Sequence, residues 1–121
     1  MPKISVLMSV YNCEKTVRNS IDSIIDQTFQ DWEFIICDDG SSDDTYKLVQ
    51  EIAKKEPRIV LIKNDRNRGL SYSLNHCLKV AKGIYCARMD GDDLCDPNRF
   101  EKQVEFFIRE WLKILSIQIF A

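Results

Sequence analysis

Residues 84–93 read Ile84-Tyr85-Cys86-Ala87-Arg88-Met89-Asp90-Gly91-Asp92-Asp93. An apolar run typical of a short buried strand is followed closely by three carboxylates, and a helix is expected to begin at Pro97. Like charges within about 4–6 Å of one another raise each other's pKa and destabilise the fold. A strand-to-helix corner that carries three acidic side chains therefore predicts a bound cation.

The rest of the chain repeats this order of strand and helix. Apolar, β-branched runs alternate with segments in which apolar residues recur at helical spacing. The four predicted strands are Ile4–Val10, Trp32–Cys37, Ile59–Ile62 and Ile84–Ala87. Almost continuously apolar strands that alternate with helices indicate a parallel sheet with helices on both faces and right-handed crossovers. The predicted class is α/β.

Capping residues predict where the helices begin. Asn12 is expected to cap the first helix, with Glu14 in its first turn, and Ser41 or Ser42 to cap the second. The macrodipole favours acidic residues just after such caps. Pro97 is expected at the first position of the fourth helix.

Size and charge limit the class of protein. The 121 residues, of which 45% are hydrophobic, predict one domain spanning residues 1–121. The formal net charge is −2 and the sequence pI is about 5.4, so no basic stripe is available to follow a phosphate backbone. We therefore expect no nucleic-acid partner.

The cysteines and the N-terminus predict a compartment. Five cysteines without a CxxC pair argue against a disulfide framework or a zinc site and indicate buried thiols in a reducing environment. Residues 1–4 show no basic region or cleavage site ahead of the first strand. A cytoplasmic location is expected, with attachment to the periphery of the inner membrane in a longer enzyme.

The acidic residues are concentrated at two strand ends. Of 19 Asp and Glu residues, four lie in residues 38–44 and four in residues 90–96. In open parallel sheets, ligands bind outside the carboxyl ends of the strands. The sequence therefore predicts one site at this edge of the sheet.

Asp90 and Asp92 suit a hard cation. Carboxylates at positions i and i+2 of an extended segment point the same way, and oxygen-only ligands favour Mg²⁺ or Mn²⁺ over zinc. The alternative is a solvated acidic turn without a ligand.

The second acidic strand end and the loop at 64–69 suit a nucleotide. One of Asp38 and Asp39 is expected to accept hydrogen bonds from a base or ribose. The loop, with two arginines and a glycine before a helix, is either an anion site or a plain surface loop. Tyr11 is expected either to stack on a base or to close the core. His76 is expected on the exposed side of the third helix, with no catalytic role.

Four ordered motifs resemble the N-terminal, nucleotide-sugar-binding half of family 2 glycosyltransferases, which have the Rossmann-like GT-A fold. They are residues 4–12, residues 38–45, residues 67–75 and residues 87–93, and the likeness covers about residues 3–107. The resemblance implies inverting transfer of a sugar from a UDP-, GDP- or dTDP-sugar donor to a saccharide or lipid-linked acceptor, with Mn²⁺ or Mg²⁺ as cofactor.

The resemblance also implies roles for individual residues. Substrate-binding residues would be Val10, Tyr11, Asp39, Gly69 and Asp90, and metal ligands would be Asp92 and Asp93. Val10 and Tyr11 would line the base pocket, and Asp39 would contact the base. Gly69 would let the chain pass close to the nucleotide.

The tail, residues 108–121, departs from the family pattern and is apolar. No general base is recognised, so the catalytic residue is unknown and the sequence predicts a truncated, donor-binding half. Two alternatives remain open: a haloacid-type phosphatase, in which Asp-x-Asp supplies a nucleophile and an acid-base neighbour, and a non-catalytic fragment. The apolar tail predicts self-association.

Overall fold

The computed structural model describes the backbone of residues 2–120 and the side chains of residues 2–113. Four strands alternate with four helices. In chain order they are β1 Ile4–Val10, α1 Val17–Ile25, β2 Trp32–Asp38, α2 Thr45–Lys55, β3 Ile59–Lys63, α3 Leu70–Val80, β4 Tyr85–Asp90 and α4 Arg99–Phe120. The predicted alternation of strands and helices is confirmed.

The four strands form one sheet in the order β3-β2-β1-β4, and every neighbouring pair is parallel. The chain moves outward from β1 to β2 to β3 and then returns to the far side of β1 as β4. Strand order therefore reverses between β1 and β4, and a ligand crevice is expected there at the carboxyl ends. The register places Val10 opposite Asp38 and Ser9 opposite Asp90.

Helices cover both faces, as predicted, because side chains alternate along each strand. Ile4, Val6, Met8 and Val10 of β1 pack in the larger core, to which α1, α2 and α4 contribute buried side chains. The other face of β1 and β2 packs against α3 around the buried Cys77.

The predicted helix starts were wrong by two to four residues. The first helix begins at Val17 rather than just after Asn12. Asn12 has a positive φ of 46° and its Oδ1 accepts a hydrogen bond from the Ser42 amide at 2.8 Å, so it joins two loops instead of capping a helix. The fourth helix begins at Arg99, two residues after Pro97.

The second helix begins at Thr45, and the side chain that accepts hydrogen bonds from its first residue is Asp43 rather than a serine. The carboxylate of Asp43 accepts hydrogen bonds from the Thr45 amide at 3.0 Å and the Thr45 hydroxyl at 2.6 Å. Ser41 is occupied elsewhere, since its hydroxyl accepts a bond from the Asn12 amide at 3.0 Å.

The prediction that the cysteines are buried was wrong at two positions. Cys37, Cys77 and Cys95 are buried, but Cys13 is half-buried and Cys86 is exposed. Cys86 lies on β4, at an edge of the described sheet, and its side chain is on the face of β4 opposite to the larger core. The α3 helix packs against β1 and β2 and leaves that part of β4 uncovered by described residues.

The α4 helix presents several apolar side chains to solvent. They are Phe106, Phe107, Ile108, Trp111 and Leu112. Ile108, Trp111 and Leu112 belong to the apolar tail that is predicted to self-associate, whereas residues 114–121 of that tail lie outside the described side chains. Within the described part of the chain, none of the helices combines the length and the apolar character that a membrane crossing requires.

Candidate functional site

A cavity of about 830 Å³ opens at the carboxyl ends of β1 and β4, where the strand order reverses. Described residues from four segments line it: Ser9, Tyr11, Asn12, Cys13, Glu14, Lys15, Thr16, Asp39, Asp43, Asn67, Gly69, Leu70, Asp90, Gly91 and Asp92. The structure thus brings together five of the seven residues predicted for the site. Val10 and Asp93 are the two that do not line the cavity.

The end of β1 contributes Tyr11 but not the side chain of Val10. Tyr11 is 48% exposed at the cavity, so it does not close the core. Val10 is only 1% exposed and packs in the larger core, because alternation places it on the same face as Met8. Its carbonyl oxygen accepts a hydrogen bond from the Asp39 amide at 2.9 Å, which ties the ends of β1 and β2 together.

Asp39 holds the loop that borders the cavity. One carboxylate oxygen accepts bonds from the Asn64 side-chain amide at 2.8 Å and the Arg68 backbone amide at 2.7 Å. The other accepts a bond from the Gly69 amide at 3.0 Å. A carboxylate offers about four acceptor positions, so about one remains for a ligand. Asp39 is only 4% exposed, and its buried charge is stabilised by these three donors.

Asp38 has a local structural role. Its Oδ2 accepts bonds from the amides of Gly40 and Ser41, at 3.2 and 3.1 Å, and so shapes the turn after β2. Its Oδ1 is buried and has no partner among the described residues. Asp38 does not line the cavity, so of the two adjacent acids Asp39 is the one at the site.

Two glycines position the loop at 64–69. Gly40 has a φ of +80°, and an added Cβ would lie 2.7 Å from the Asn67 amide nitrogen, so only glycine allows the turn and the loop to pack this closely. Gly69 has a φ of 96° and a ψ of 166°, a region essentially restricted to glycine. An added Cβ there would meet nothing within 4 Å, which leaves open space beside the cavity.

The arginines of this loop do not line the cavity. Arg68 pairs instead with Asp65, with an N–O distance of 2.8 Å, and its guanidinium lies 5.4 Å from the ring centre of Tyr72. Arg66 is exposed. The backbone and the glycine of the loop, rather than its charges, therefore border the cavity.

The corner after β4 is held by its backbone and leaves its carboxylates open. The Gly91 carbonyl accepts bonds from the hydroxyls of Thr16 and Ser20, both at 3.0 Å, and the Asp93 amide donates to the Asp90 carbonyl at 3.1 Å. Asp90 is half-buried and Asp92 is exposed, and both line the cavity.

Arg88 partly neutralises the charge of this corner. Its guanidinium lies 3.3 Å from Asp90 Oδ1, and both side chains are about half exposed. An ion pair this exposed contributes little to stability. Asp92 has no ion-pair partner among the described residues.

The charge of the cavity lining is strongly negative. Five carboxylates, those of Glu14, Asp39, Asp43, Asp90 and Asp92, face one cationic side chain, Lys15, among the described lining residues. A diphosphate would be repelled by such a surface unless a cation came with it.

The donor set fits a divalent cation that is shared with a ligand. Within residues 2–113, no group of three His, Cys, Asp or Glu side chains is arranged to enclose a metal ion. Mg²⁺ is typically bound through one or two carboxylates together with substrate phosphates and water. Asp90 and Asp92 supply that number, whereas Asp93 lies outside the cavity lining.

Sequence reasoning missed the segment between β1 and α1, residues 12–16, which lines the cavity next to the acidic corner. The signal that identifies it is topological, because the loop after β1 adjoins the point where strand order reverses. Within this segment, burial raises the pKa of the Cys13 thiol, and the charges of Asp43 and Asp38 add to that effect. Burial therefore disfavours the thiolate form of Cys13 at the cavity.

A sequence model of a known family matches almost the whole chain. The family is described as glycosyl transferase family 2, and the match covers residues 5–121. The chain belongs to this family. It is therefore a glycosyltransferase family 2 domain, as the motifs predicted, and this match gives no support to the phosphatase alternative.

One relative of this domain is the putative glycosyltransferase EpsE of Bacillus subtilis, which is 52% identical over 106 residues. The match covers 87% of this chain and 38% of EpsE. The chain thus spans well under half the length of this curated relative.

Two solved structures share the fold and contain nucleotide ligands. TarS of S. aureus, residues 1–349 in complex with UDP, superposes with a TM-score of 0.82 at 25% identity over 88% of this chain and 32% of that one. The mannosyltransferase PcManGT of Pyrobaculum calidifontis, in complex with GDP-Man and Mn²⁺, gives a TM-score of 0.72 at 27% identity over 77% of this chain and 28% of that one. The GT-A fold of the glycosyltransferase is thereby confirmed.

Proposed function

We propose that this domain binds the nucleoside-diphosphate sugar donor of a metal-dependent, inverting glycosyltransferase in the cavity between the ends of β1 and β4. The observation that carries the proposal is the acidic lining of the cavity. Within it, the carboxylates of Asp90 and Asp92 lie two residues apart in sequence and are accessible to a ligand. UDP in TarS, and GDP-Man with Mn²⁺ in PcManGT, support the class of donor and the metal.

In this proposal, each side of the cavity has a separate task. Tyr11 and Asp39 face the base, with the remaining acceptor position of Asp39 available to an N–H of the base. Asp90 and Asp92 hold Mn²⁺ or Mg²⁺, which neutralises the diphosphate as it leaves. Gly69 lets the backbone lie close to the nucleotide, and Lys15 supplies the cationic side chain of the lining.

Inversion means that the acceptor oxygen bonds to the anomeric carbon on the face opposite to the departing diphosphate. The acceptor is a saccharide or a lipid-linked saccharide, and its hydroxyl proton must pass to a base that the cavity residues described here do not identify. NMR of the glycosylated product measures this directly, because the anomeric configuration of the new bond is either opposite to that of the donor or the same.

Calorimetry with UDP, GDP and dTDP, each with and without Mn²⁺, tests donor binding. We expect one of these nucleotides to bind in the presence of Mn²⁺ and to lose most of its affinity when EDTA is added. If none of the three binds with Mn²⁺ present, the proposal is contradicted. AMP with Mn²⁺ serves as a control for binding that any phosphate would give.

A further inference from the structure

A buried polar network links the start of the loop at 64–69 to Asp39 and to α3. Its centre is Asn64, which follows β3 and is 6% exposed. The side-chain amide nitrogen donates to Asp39 Oδ1 at 2.8 Å and to the Ser73 hydroxyl at 2.9 Å. The side-chain oxygen lies 3.0 Å from His76 Nδ1 and 3.4 Å from Cys37 Sγ.

These four contacts fix the orientation of the Asn64 amide. Its two donor positions and two acceptor positions are all used. In the reverse orientation, the amide oxygen would face the carboxylate of Asp39, which offers no proton. The same reasoning assigns the Nδ1–H tautomer to His76, because the Asn64 oxygen can only accept. His76 is half-buried at this contact rather than on the exposed side of α3, so the prediction for its position was wrong.

The network continues to the cavity through Asp39. The same oxygen that accepts from Asn64 also accepts from the Arg68 amide, and its neighbour accepts from the Gly69 amide. Ser73 closes the network, because its hydroxyl donates to the Gly69 carbonyl at 3.0 Å. A displacement of the Asn64 amide would therefore change both the direction of the Asp39 carboxylate and the position of the loop at Gly69.

We propose that Asn64, oriented by His76, is a positioning residue for the donor nucleotide: it touches no ligand itself and acts by aiming Asp39 and fixing the backbone at Gly69. The proposal rests on the donor site proposed above. It assigns a function to His76 and to the conformation of the loop, which the sequence motifs leave without one.

The test compares nucleotide affinity in variants on both sides of the Asn64 amide. Asn64→Leu removes every hydrogen bond while keeping a similar volume, and His76→Leu removes only the outer donor. His76→Asn restores a side-chain N–H donor, and Lys79→Ala, on an exposed part of α3, is the control. Calorimetry uses whichever of UDP, GDP or dTDP binds the unaltered protein most tightly, with Mn²⁺, well below the melting temperature of each variant.

We expect about a tenfold loss of affinity in Asn64→Leu, which removes all four contacts, and about a fivefold loss in His76→Leu, which removes one. His76→Asn should recover most of that loss, and Lys79→Ala should match the unaltered protein. Hydrogen exchange at the Arg68 and Gly69 amides should accelerate in both leucine variants more than exchange in β1.

Three results overturn the proposal in different ways. Unchanged affinity in folded His76→Leu and Asn64→Leu, with normal binding by the unaltered protein, refutes the positioning role alone. Lower melting temperatures with unchanged affinity and unchanged relative exchange at Gly69 show that the network only stabilises the fold. If the unaltered protein and Lys79→Ala both fail to bind any of the three nucleotides, the donor site is refuted and the role of Asn64 with it.

Discussion

The two acidic strand ends differ in what satisfies their carboxylates. At the end of β2, Asp38 and Asp39 are each 4% exposed and together accept hydrogen bonds from five protein donors. At the end of β4, Asp92 is exposed and Asp90 accepts hydrogen bonds only from the half-exposed guanidinium of Arg88, at 3.3 Å, among the described side chains. The first group of acids builds the cavity, and the second is left open to a ligand.

This difference has a physical basis in burial. A buried carboxylate is stabilised by hydrogen bonds, and three of the four carboxylate oxygens of Asp38 and Asp39 accept them from the protein, whereas Asp38 Oδ1 has no partner among the described residues. An exposed carboxylate keeps its oxygens for water and exchanges them for a cation at little cost. The same residue type, at the carboxyl ends of two parallel strands on either side of β1, thus supports the structure in one place and is left available for a ligand in the other.

Replacing one acid at each strand end tests this difference most directly, because the two substitutions should change the free energy of unfolding by different amounts. Asp39→Leu leaves the Asn64, Arg68 and Gly69 donors without their acceptor, and we expect the free energy of unfolding to fall by about 4 kcal/mol. Asp90→Leu removes one half-exposed ion pair, and we expect a change below about 1 kcal/mol. Urea unfolding followed by circular dichroism measures both, and equal losses would refute the assignment of separate roles.

Substitution of the two glycines with positive φ, Gly40 and Gly69, should give the next largest changes in the free energy of unfolding. Gly40→Ala places a methyl group against the Asn67 backbone as well as straining φ, so we expect a loss of about 3 kcal/mol. Gly69→Ala meets no neighbour and suffers only the strain of its backbone, about 1–2 kcal/mol. Chemical denaturation of the two alanine variants checks the order, and a larger loss at Gly69 would contradict it.

The fold was predictable because its signals are local. The apolar run of Ile4–Val10 and the helical spacing of Val17, Ile21 and Ile24 are each visible within one segment, and the alternation of such segments indicates a parallel sheet. The ends of the elements were less predictable. Asn12 followed by Glu14 has the local pattern of a cap, but the Ser42 amide, 30 residues away, forms the stronger interaction.

The site was predictable in its location and less so in its roles. Strand ends in an α/β sheet indicate Asp90, Asp92 and one of Asp38 and Asp39 without any knowledge of contacts, and the choice of Asp39 came from the family resemblance. Whether the protein itself hydrogen-bonds the carboxylate of Asp39 depends on donors 25 to 30 residues away in sequence, such as Asn64 and Gly69. No short sequence pattern predicts these contacts. The buried position of Val10 follows from alternation along β1, and the sequence carried that signal.

Two neighbouring acids after β4, Asp92 and Asp93, allow the same comparison to be made for nucleotide affinity. Asp92 lines the cavity and Asp93, next to it, does not. We expect Asp92→Asn to weaken Mn²⁺-dependent nucleotide binding about a hundredfold, equivalent to about 2.7 kcal/mol, and Asp93→Asn to weaken it less than about fivefold. Neither should change stability, because both side chains are exposed.

Calorimetry at several Mn²⁺ concentrations distinguishes a lost metal ligand from a lost nucleotide contact. In Asp92→Asn, raising the Mn²⁺ concentration should recover part of the nucleotide affinity. A loss in Asp93→Asn as large as that in Asp92→Asn would establish Asp93 as a metal ligand, as the family resemblance implied, and would contradict the division drawn from the cavity lining.

Asp43 is both hydrogen-bonded by the protein and exposed to the cavity, and of the substitutions that lower stability, that of Asp43 should lower it least. It lines the cavity and also accepts hydrogen bonds from Thr45 and from the Glu14 amide. Partial desolvation favours a higher pKa, but these bonds outweigh it and hold the pKa of the Asp43 carboxyl below its ordinary value of 3.8. A carboxyl with a lowered pKa in the folded state adds stability above its unfolded pKa, and that contribution disappears as the pH falls through the folded pKa.

The unfolding midpoint in urea of the unaltered protein should therefore exceed that of Asp43→Asn near neutral pH, and the gap should narrow as the pH falls from about 5 to about 3. Asp44→Asn, one residue further along, is the matched control, because Asp44 is exposed and does not line the cavity. A gap that stays constant across this range would show that Asp43 contributes through its shape and not its charge.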